Sequence, residues 1–448
     1  MKELPAPFLH RMRELLGEEY DSFLSEYEKE PLRGIRLNPL KCSADTLRKC
    51  FPFLQKESPY SPLSYVFSKQ DGKIGRHPLH HAGAVYSQEP SAAAAVTALS
   101  PHPGEKVLDL CAAPGGKSTQ IASLLQGEGL IWSNEIIKSR AQVLLSNMER
   151  MGVRNGVISS CRPEQLCEGL EGFFDCVLVD APCSGEGMFR KDARAVEEWS
   201  PEHSSSCAVR QRAILESAAK ALRPGGRLLY STCTFAPEEN EETVLAFLRA
   251  HPSFELLDTG LSAGRPSMGK MRRIYPMDGG EGHFVALMRK TEKTEGKEKN
   301  CPPPLYRPGT ASMETAAKAL WNELMKTPFP GNLEQRGNYL YILPKGVPVY
   351  KGLGVLRAGV QAFEIKGTRL EPCHHLFMSA SPEALRSRVE LPWDAPETAA
   401  FLRGEEISAA ASLKGWTGVS VEGVMLGFGK AGGGKLKNRY PKGLRNHV

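Results

Sequence analysis

The chain has 448 residues, too many for a single hydrophobic core, and this length predicts three or four domains of ordinary size. Hydrophobic residues make up 41% of the chain and charged residues 24%, which is typical of a soluble globular protein. No apolar run approaches the ~20 residues of a membrane span, and the first residues lack the apolar stretch of a signal peptide. We therefore expect a cytoplasmic protein that does not enter a membrane. The net charge of +6 weakly favours an anionic partner.

The eleven cysteines contain no Cys-x-x-Cys pair, and the histidines are scattered along the chain. This spacing gives little support to a zinc site, and we predict no metal. In a reducing compartment most of the cysteines should be free thiols. Each is, by default, a small buried hydrophobic residue.

Residues 1–80 mix helical and extended patterns, which predicts a small α+β region. Phe8, Met12 and Leu15–Leu16 recur at helical spacing and predict an amphipathic helix. Residues 33–38 are interpreted as a strand with basic residues on one face. A further helix should begin near residues 87–91, with Ser87 as its N-cap and Pro90 in its first turn.

Residues 81–290 alternate between strand and helix patterns, which indicates an α/β fold with a Rossmann-like, doubly wound parallel sheet. The predicted strands cover residues 107–110, 129–134, 156–159, 174–180 and 227–231, the last preceded by a turn at 224–226. The predicted helices cover residues 118–125, 138–151 and 209–222.

A charged and then proline-rich linker is predicted at residues 291–308. Beyond it we predict an α+β module over 309–380 and a β-rich module over 381–448. The predicted elements there are a helix at 313–325, strands at 339–343 and 347–350, a helical turn at 396–403 and β-structure at 418–429. The chain from Lys430 onward carries six lysines and arginines and no acidic residue, which is typical of contact with a phosphate backbone.

The loop at residues 109–118 leaves a predicted strand and opens a helix, and its two glycines let the backbone approach a ligand. It lacks both the dinucleotide-binding fingerprint and the phosphate loop of nucleotide hydrolases. Glu135, at the end of the next strand, can accept hydrogen bonds from ribose hydroxyls. A nucleoside cofactor without a pyrophosphate fits this pattern, and S-adenosylmethionine is the candidate. The alternative is a tight turn that binds nothing.

Two cysteines follow two predicted strands: Cys183 after the fourth and Cys233 after the fifth. Because ligands collect beyond the carboxyl ends of parallel strands, the two side chains are expected to share one pocket. The residues alone allow three interpretations: small buried hydrophobes, a disulfide, or two halves of one active site. A disulfide would block the site and is not expected in the cytoplasm. The residues also do not decide which cysteine would be the nucleophile.

The motifs at residues 109–117, 180–187 and 231–234 resemble those of RNA cytosine-C5 methyltransferases of the Fmu/Sun type. The resemblance extends to residues 36–41, similar to the family's N-terminal RNA-contacting segment, and to residues 88–91. Residues 426–445 resemble the PUA-like closing module of the RsmF branch, which modifies small-subunit ribosomal RNA. The resemblance therefore covers nearly the whole chain.

The resemblance implies a role for each motif residue. Cys233 would be the nucleophile, Cys183 would assist release of the covalent adduct, Asp180 would bind the base and Lys117 would lie beside the target cytosine. S-adenosylmethionine would be held by Cys111, Ala112, Ala113, Pro114, Gly115, Gly116, Lys117, Glu135 and Asp180. RNA would be held by Arg36, Asn38, Lys430, Lys437, Asn438, Arg439 and Lys442.

One segment departs from the family pattern. The family usually offers an Asp or Asn after the third strand to hold the adenine, whereas residues 159–164 here read Ser-Ser-Cys-Arg-Pro-Glu. A backbone group, Glu164 or packing alone would then hold the adenine. We expect a monomer that methylates 16S ribosomal RNA, free or in the 30S subunit. The same chemistry on transfer RNA and a non-catalytic ribosome-assembly factor are the alternatives, and the intact motif residues argue against the second.

Overall fold

The computed structural model describes residues 3–54, 56–68, 74–291 and 311–445. The N-terminal elements are α1 (Ala6–Leu16), α2 (Tyr20–Tyr27), β1 (Arg33–Leu37), α3 (Ala44–Cys50), β2 (Lys56–Glu57), β3 (Ser64–Phe67), α4 (Pro78–His81) and β4 (Val85–Ser87). Their strands form an antiparallel sheet in the order β2-β3-β1-β4. The predicted amphipathic helix is confirmed as α1, which buries Phe8, Met12 and Leu16 and leaves Leu15 38% exposed.

Two N-terminal predictions are wrong in detail. Ser87 ends strand β4 and caps no helix; the Glu89 carboxylate accepts from the amides of Ser91 and Ala92 instead. The two arginines of β1 do not share a face, because residues three apart in a strand point to opposite sides. Arg33 is exposed and Arg36 is buried.

The central elements alternate as predicted. They are α5 (Ala94–Leu99), β5 (Lys106–Asp109), α6 (Gly116–Leu125), β6 (Leu130–Asn134), α7 (Lys138–Arg150), β7 (Gly156–Ser159), α8 (Pro163–Gly169), β8 (Phe174–Asp180), α9 (Ala193–Glu198), α10 (Pro201–Ala221), β9 (Leu222–Thr232), α11 (Glu241–Ala250), β10 (Phe254–Leu257), β11 (Arg265–Ser267), β12 (Met271–Ile274) and β13 (His283–Lys290). The five predicted strands are confirmed as β5–β9. Strand β9 begins earlier than expected and includes the predicted turn at 224–226.

These strands form a mixed sheet whose parallel centre runs β9-β8-β5-β6-β7. The chain order reverses between β5 and its neighbour β8, which is the switch point where doubly wound sheets bind ligands. Successive residues of β5 face opposite layers: Val107 packs in the cluster with α5, α6 and α7, and Leu108 in the cluster with α8, α10 and α11. Antiparallel strands β13, β12 and β11 extend the edge beside β9.

The C-terminal elements form two further sheets. The first module contains α12 (Ala311–Leu324), β14 (Leu333–Arg336), β15 (Tyr339–Ile342), β16 (Val355–Ala358), β17 (Val360–Lys366), β18 (Arg369–Pro372) and α13 (His374–Met378). The second contains β19 (Arg388–Leu391), α14 (Pro396–Arg403), β20 (Ile407–Ser408), β21 (Gly415–Val421), β22 (Val424–Gly432) and β23 (Lys435–Asn438). Their sheet orders are β14-β15-β17-β18 and β19-β21-β22-β23-β20.

Most C-terminal predictions agree with these elements. The helices α12 and α14, the strand β15 and the hairpin β21–β22 lie where the pattern placed them. The predicted strand at 347–350 is wrong: the segment is irregular, and Pro348 has no N–H to donate to a sheet. The predicted linker at 291–308 lies, apart from Thr291, outside the described residues.

The modules pack on one another through shared apolar clusters. Ile35 and Leu47 of the N-terminal region share a buried cluster with Phe401 and Leu426 of the closing module. Phe8 of α1 packs in another cluster with catalytic-domain aromatics, among them Phe235. Within the described ranges, no helix is long and apolar enough to span a bilayer.

Candidate active site

The structure brings the two predicted cysteines together. Cys183 Sγ and Cys233 Sγ lie 3.2 Å apart at the carboxyl ends of β8 and β9, and both side chains are partly exposed. A disulfide bond is about 2.05 Å long, so both residues are free thiols within hydrogen-bonding distance. The disulfide interpretation is therefore wrong, and the expectation of one shared pocket holds for this pair.

Backbone bonds hold the loops that carry the cysteines side by side. The Ala181 amide donates to the Ser231 carbonyl at 2.8 Å, which continues the parallel pairing of β8 and β9 beyond the strands. The Gly187 amide then donates to the Cys233 carbonyl at 2.9 Å. The hydroxyls of Ser184 and Thr234 share a 2.8 Å hydrogen bond in the interior. The sulfurs meet because their two loops are bonded before and after each cysteine.

Two buried glutamates hold these loops in place through hydrogen bonds. Glu239 accepts from the Ser184 amide at 3.0 Å and from Gln211 Nε2 at 2.8 Å, and Gln211 also donates to the Pro182 carbonyl. Glu186 accepts from Trp199 Nε1 at 2.8 Å and from the Phe235 amide at 2.9 Å.

The N-terminal helix α1 also reaches the active-site loops. Arg11 of α1 forms a hydrogen-bonded ion pair with the fully buried Glu186. Phe8, one turn earlier, packs edge-on against Phe189 and Trp199. The N-terminal region is thus part of the scaffold that sets the cysteine positions.

Asp180 ends strand β8 and is held by three neighbours. Its Oδ2 lies 2.8 Å from Lys117 Nζ, its Oδ1 accepts from Ser231 Oγ at 2.8 Å, and His283 Nε2 lies 3.9 Å from Oδ1. Burial raises the pKa of Asp180. The Lys117 cation and these hydrogen bonds lower the pKa by more than burial raises it, so the net shift is downward. Asp180 is a carboxylate at neutral pH.

Lys117 lies in the first turn of α6, where the helix dipole disfavours a cation. Burial lowers the pKa of Lys117, but the Asp180 carboxylate outweighs this, and electrostatic attraction to Cys233 raises the pKa as well. Lys117 is therefore an ammonium between an aspartate and a cysteine. Such a cation is attractive to a thiolate at Cys233.

The two cysteines differ in electrostatic surroundings. The hydrogen bond to Cys233, followed by burial, raises the pKa of the Cys183 thiol well above its ordinary value. Cys183 is therefore a neutral thiol at neutral pH, and either sulfur can be the donor in the hydrogen bond that it shares with Cys233.

The loop between β5 and α6 packs closely against its neighbours. Gly115 has φ +113°, a left-handed conformation that favours glycine, and a Cβ at Gly116 would lie 3.3 Å from the Tyr86 ring. Helix α7 holds the loop, because Arg140 donates to the Ala113 carbonyl and Asn147 to the Pro114 carbonyl.

Two buried acids border this loop. Asp109 accepts from Ser118 Oγ at 2.7 Å, but its Oδ1 makes no hydrogen bond within the described part of the chain. Burial raises the pKa of Asp109 to about 7. Glu135 accepts from the Ile137 amide at 3.0 Å, and the neighbouring Ile136 is 55% exposed. An unsatisfied acceptor, an acid and an exposed apolar side chain together fit an amphipathic nucleoside cofactor.

Three backbone groups of the segment after β7 are already hydrogen-bonded. Asn134 accepts from the Cys161 amide at 3.1 Å and donates to the Cys161 carbonyl at 3.0 Å. The Ser160 amide donates to the Gly354 carbonyl at 2.9 Å. Glu164 is exposed in the first turn of α8. Of the expected ways to hold the adenine, packing against this segment is the one these contacts favour.

Two predicted RNA-binding residues lie in the interior, which corrects that prediction. Arg36 is 3% exposed and donates to Gln88 Oε1, to the Gly116 carbonyl and to Thr119 Oγ1. Asn38 is 1% exposed and donates to the Gly83 and Met151 carbonyls. Both side chains tie the N-terminal region to the catalytic domain, so they are not available to RNA.

The closing module presents most of the other predicted RNA-binding residues. Lys430, Lys437, Arg439 and Lys442 are exposed. Asn438 differs: its amide donates to the Phe401 and Glu405 carbonyls, so it holds the end of β23 in place.

A half-buried tryptophan lies among these cations. Lys430 Nζ is 5.4 Å and Arg439 Cζ 5.6 Å from the centre of the Trp416 ring, and Lys430 is paired directly opposite Lys437. Like charges placed opposite each other destabilise a sheet, which an anionic ligand would offset.

Several site residues were not predicted. Glu186 lies in the motif at 180–187, which predicts no role for it, and His283, Glu239 and Gln211 lie outside all three motifs. For His283 the available signal was its position after Gly279–Gly282 at the start of an apolar run. A cavity of about 1080 Å³ lies at the opposite ends of the strands, between the catalytic domain and the first C-terminal module, and it is lined by none of the predicted catalytic residues. No cluster of His, Cys, Asp or Glu suited to a metal ion occurs in the described ranges.

The fold and the site define a Rossmann-like, S-adenosylmethionine-dependent methyltransferase. The family described as 16S rRNA methyltransferase RsmB/F matches residues 96–289, and the N-terminal domain of RsmF matches residues 4–90. The first C-terminal domain of RsmF matches residues 319–379, and its PUA domain matches residues 388–446.

Relatives and solved structures agree with these matches. Ribosomal RNA small subunit methyltransferase F of Cronobacter sakazakii is 32% identical and that of Klebsiella pneumoniae 34% identical, each over 98% of this chain and 96% of the relative. The chain belongs to the ribosomal RNA small subunit methyltransferase F family. A methyltransferase homologue from Pyrococcus horikoshii is 31% identical with a TM-score of 0.56, over 63% of this chain and 94% of that one. NSun6 from the same organism, crystallised with SFG, is 25% identical with a TM-score of 0.57, over 64% and 98%.

Proposed function

We propose that this protein methylates C5 of a cytidine in 16S ribosomal RNA, with Cys233 as the covalent nucleophile and Cys183 as the residue that releases the product. The observation that carries the proposal is the 3.2 Å cysteine pair beside the Lys117–Asp180 ion pair. Relatives named for small-subunit ribosomal RNA, aligned over 98% of the chain, support the substrate.

The reaction needs a nucleophile because C5 of cytosine is itself unreactive. Cys233, having lost its proton to solvent, attacks C6, and the new S–C6 bond moves the C5–C6 π electrons toward C5. The Cys183 S–H and the Lys117 ammonium stabilise the thiolate before attack. The target base has to leave its stack to reach the sulfurs.

When bound, S-adenosylmethionine would supply the methyl group: C5 would bond to it with that electron pair, and the S–CH3 bond would break to leave S-adenosylhomocysteine. The loop at 111–117 and Glu135 would hold its nucleoside, and Asp180 lies at the neighbouring strand end. The Asp180 carboxylate accepts a hydrogen bond from the exocyclic amine of the base. Lys117 places a positive charge beside the ring as the ring gains electron density.

Product release requires loss of the C5 proton and of the sulfur. Cys183 lies 3.2 Å from the Cys233 sulfur that would carry the base, so its sulfur is placed to act on the adduct. Cys183 can then ionise to solvent and accept the C5 proton. The C–H electrons restore the C5–C6 double bond, the S–C6 bond breaks, and Cys233 leaves as a thiolate.

We further propose that the protein acts as a monomer in the cytoplasm and holds its substrate through the basic face of the closing module. The exposed cations Lys430, Lys437, Arg439 and Lys442 support phosphate contacts there. Size-exclusion chromatography with light scattering tests the monomer, and a mass near 98 kDa, twice the chain's 49.1 kDa, would contradict it.

One assay tests the function. The protein is incubated with methyl-labelled S-adenosylmethionine and naked 16S RNA, assembled 30S subunits or transfer RNA, and 5-methylcytidine is mapped. We expect label in 16S RNA or the 30S subunit. Label confined to transfer RNA would show the alternative substrate, and binding without transfer to any of the three would show a non-catalytic RNA-binding factor.

A further inference from the structure

A strand from the first C-terminal module completes the edge of the catalytic sheet. Strand β16 pairs antiparallel with β7, with Val355 opposite Ser159 and Ala358 opposite Val157. An unpaired edge strand would expose its amides and carbonyls, so this pairing satisfies them within the protein. The module is thereby joined by a sheet ladder to the strand whose end borders the cofactor site.

The bonding continues past the strand into the loop that follows β7. The Ser160 amide donates to the Gly354 carbonyl at 2.9 Å, and Gln165 Nε2 donates to the Gly352 carbonyl at 2.8 Å. The turn at Gly352–Gly354 therefore contacts both the segment at Ser160–Cys161 and the helix after it. We call residues 352–354 the brace.

The segment held by the brace also contacts the cofactor side of the site. Ser160 Oγ donates to the Ile136 carbonyl at 3.2 Å, next to Glu135. Asn134 binds both backbone groups of Cys161 and donates to the Leu110 carbonyl of the cofactor loop at 3.3 Å. A displacement of Ser160–Cys161 would thus move residues on both sides of the nucleoside site, at Glu135–Ile136 and at Leu110.

The brace can approach this closely because its last residue is a glycine. Gly354 has φ +60°, and a Cβ there would fall 2.3 Å from the Ser160 carbonyl oxygen. A side chain at residue 354 would have to push the Ser160 backbone away. The Ser160 amide and both Cys161 backbone groups are already hydrogen-bonded. The segment can therefore contact the cofactor only by packing, and the quality of that packing depends on where the segment lies.

We propose that Gly352–Gly354 is a positioning element for the adenosine of S-adenosylmethionine, which makes the first C-terminal module part of the cofactor site. This inference rests on the proposed placement of the nucleoside beside Glu135. It gives that module a role in cofactor affinity that is separate from any contact with RNA.

The test compares Gly354→Ala with Gly367→Ala in the full-length protein. Gly367 is a matched control, because it has φ +61° in the same module but no atom within 4 Å of an added Cβ. Calorimetry measures the Kd for S-adenosylhomocysteine, and steady-state assays measure KM for S-adenosylmethionine and for RNA. We expect Gly354→Ala to raise the cofactor Kd and KM about tenfold, since sub-ångström misplacement is costly, with KM for RNA unchanged. Gly367→Ala should bind as the wild type does.

A folded Gly354→Ala protein with wild-type cofactor affinity overturns the proposal. Equal weakening in both glycine variants also overturns it, because it would show a general loss of stability. If Gly354→Ala does not fold, Gln165→Ala decides. Its exposed side chain loses only the bond to Gly352, and a Kd raised about threefold supports the brace whereas an unchanged Kd refutes it. None of these outcomes bears on whether the wild-type protein methylates RNA.

Discussion

Lys117 Nζ lies 2.8 Å from Asp180 Oδ2, which joins the first turn of α6 to the end of β8 across the floor of the active site. Each partner shifts the pKa of the other toward the charged form, and both side chains are largely buried. Breaking a buried pair leaves one charge uncompensated. We expect this pair to contribute to both stability and catalysis, and the two effects can be separated.

We expect Asp180→Asn and Lys117→Met each to lower the single-turnover rate of methyl transfer by at least about 10², as for removal of an electrostatic stabiliser. Each should also lower the free energy of unfolding by about 3 kcal/mol. The double variant should regain most of the stability and none of the activity. A double variant as unstable as the sum of the two single ones would contradict a direct pair.

The cysteine roles predict opposite results for two small changes. Cys233→Ala should abolish methyl transfer and form no covalent RNA adduct, because no sulfur can bond to C6. Cys183→Ala should still bond to RNA but release it slowly, because the group that accepts the C5 proton is gone.

Denaturing gels with labelled 16S RNA distinguish the two variants by a shifted RNA–protein band. Cys207→Ala is the control, since Cys207 is a buried thiol of helix α10 outside the pair. An adduct trapped in Cys233→Ala, and absent from Cys183→Ala, would reverse the two assignments.

Local sequence patterns were sufficient for the strands, the loop between β5 and α6 and the meeting of the cysteines. Each of these depends on residues close in sequence: the apolar runs of β5–β9, the glycines at 115 and 116, and cysteines placed directly after two strands. The carboxyl ends of parallel strands then share one edge of the sheet. The assignment of Cys233 rather than Cys183 as the nucleophile rests on family resemblance. The adduct experiment tests this assignment.

Long-range contacts decided what the sequence could not. Arg36 looked like an exposed cation, but its partners lie 52 to 83 residues away in Gln88, Gly116 and Thr119. The brace at Gly354 has the same cause, since it meets Ser160 from a different module. Whether a charged side chain is buried, or a glycine closely approached, depends on partners that are distant in sequence. The local pattern of apolar and polar residues does not identify those partners.

Acid should weaken the junction between α7 and the C-terminal module. Burial lowers the pKa of both His374 and His375 to about 4, from an ordinary value of 6.5. As the pH falls below 6.5 the unfolded chain takes up these protons first, so stability is lost between pH 6.5 and 4. At about 1.36 kcal/mol per pKa unit, a lowering of about 2.5 in the pKa of each histidine sets an upper limit of about 7 kcal/mol on the loss in the free energy of unfolding over this window.

Urea unfolding at pH 7, 5.5 and 4.5 measures this slope, with a His374→Gln/His375→Gln variant for comparison. The variant is expected to be less stable at pH 7 but to lose less stability on acidification. Parallel stability curves for the two proteins would show that other groups cause the acid sensitivity. Glu149 adds its own loss of stability only below about pH 5, because the pKa of its carboxyl is lowered to about 2 from an ordinary value of 4.5.

The basic face of the closing module should make RNA affinity depend on salt. Lys430 and Lys437 lie directly opposite each other on β22 and β23, and Trp416 lies beside them. Each phosphate contact with a single strand contributes about 0.7 to the slope of log K against log salt concentration. Lys430→Ala with Lys437→Ala should therefore reduce this slope by about 1.4 and leave the Kd for S-adenosylhomocysteine unchanged. Fluorescence anisotropy with a labelled 16S RNA fragment measures this slope.

Lys366→Ala is the control, because Lys366 is also exposed but is paired with Glu364. A slope that changes equally in the control and the double variant would mean that this face does not contact the RNA backbone.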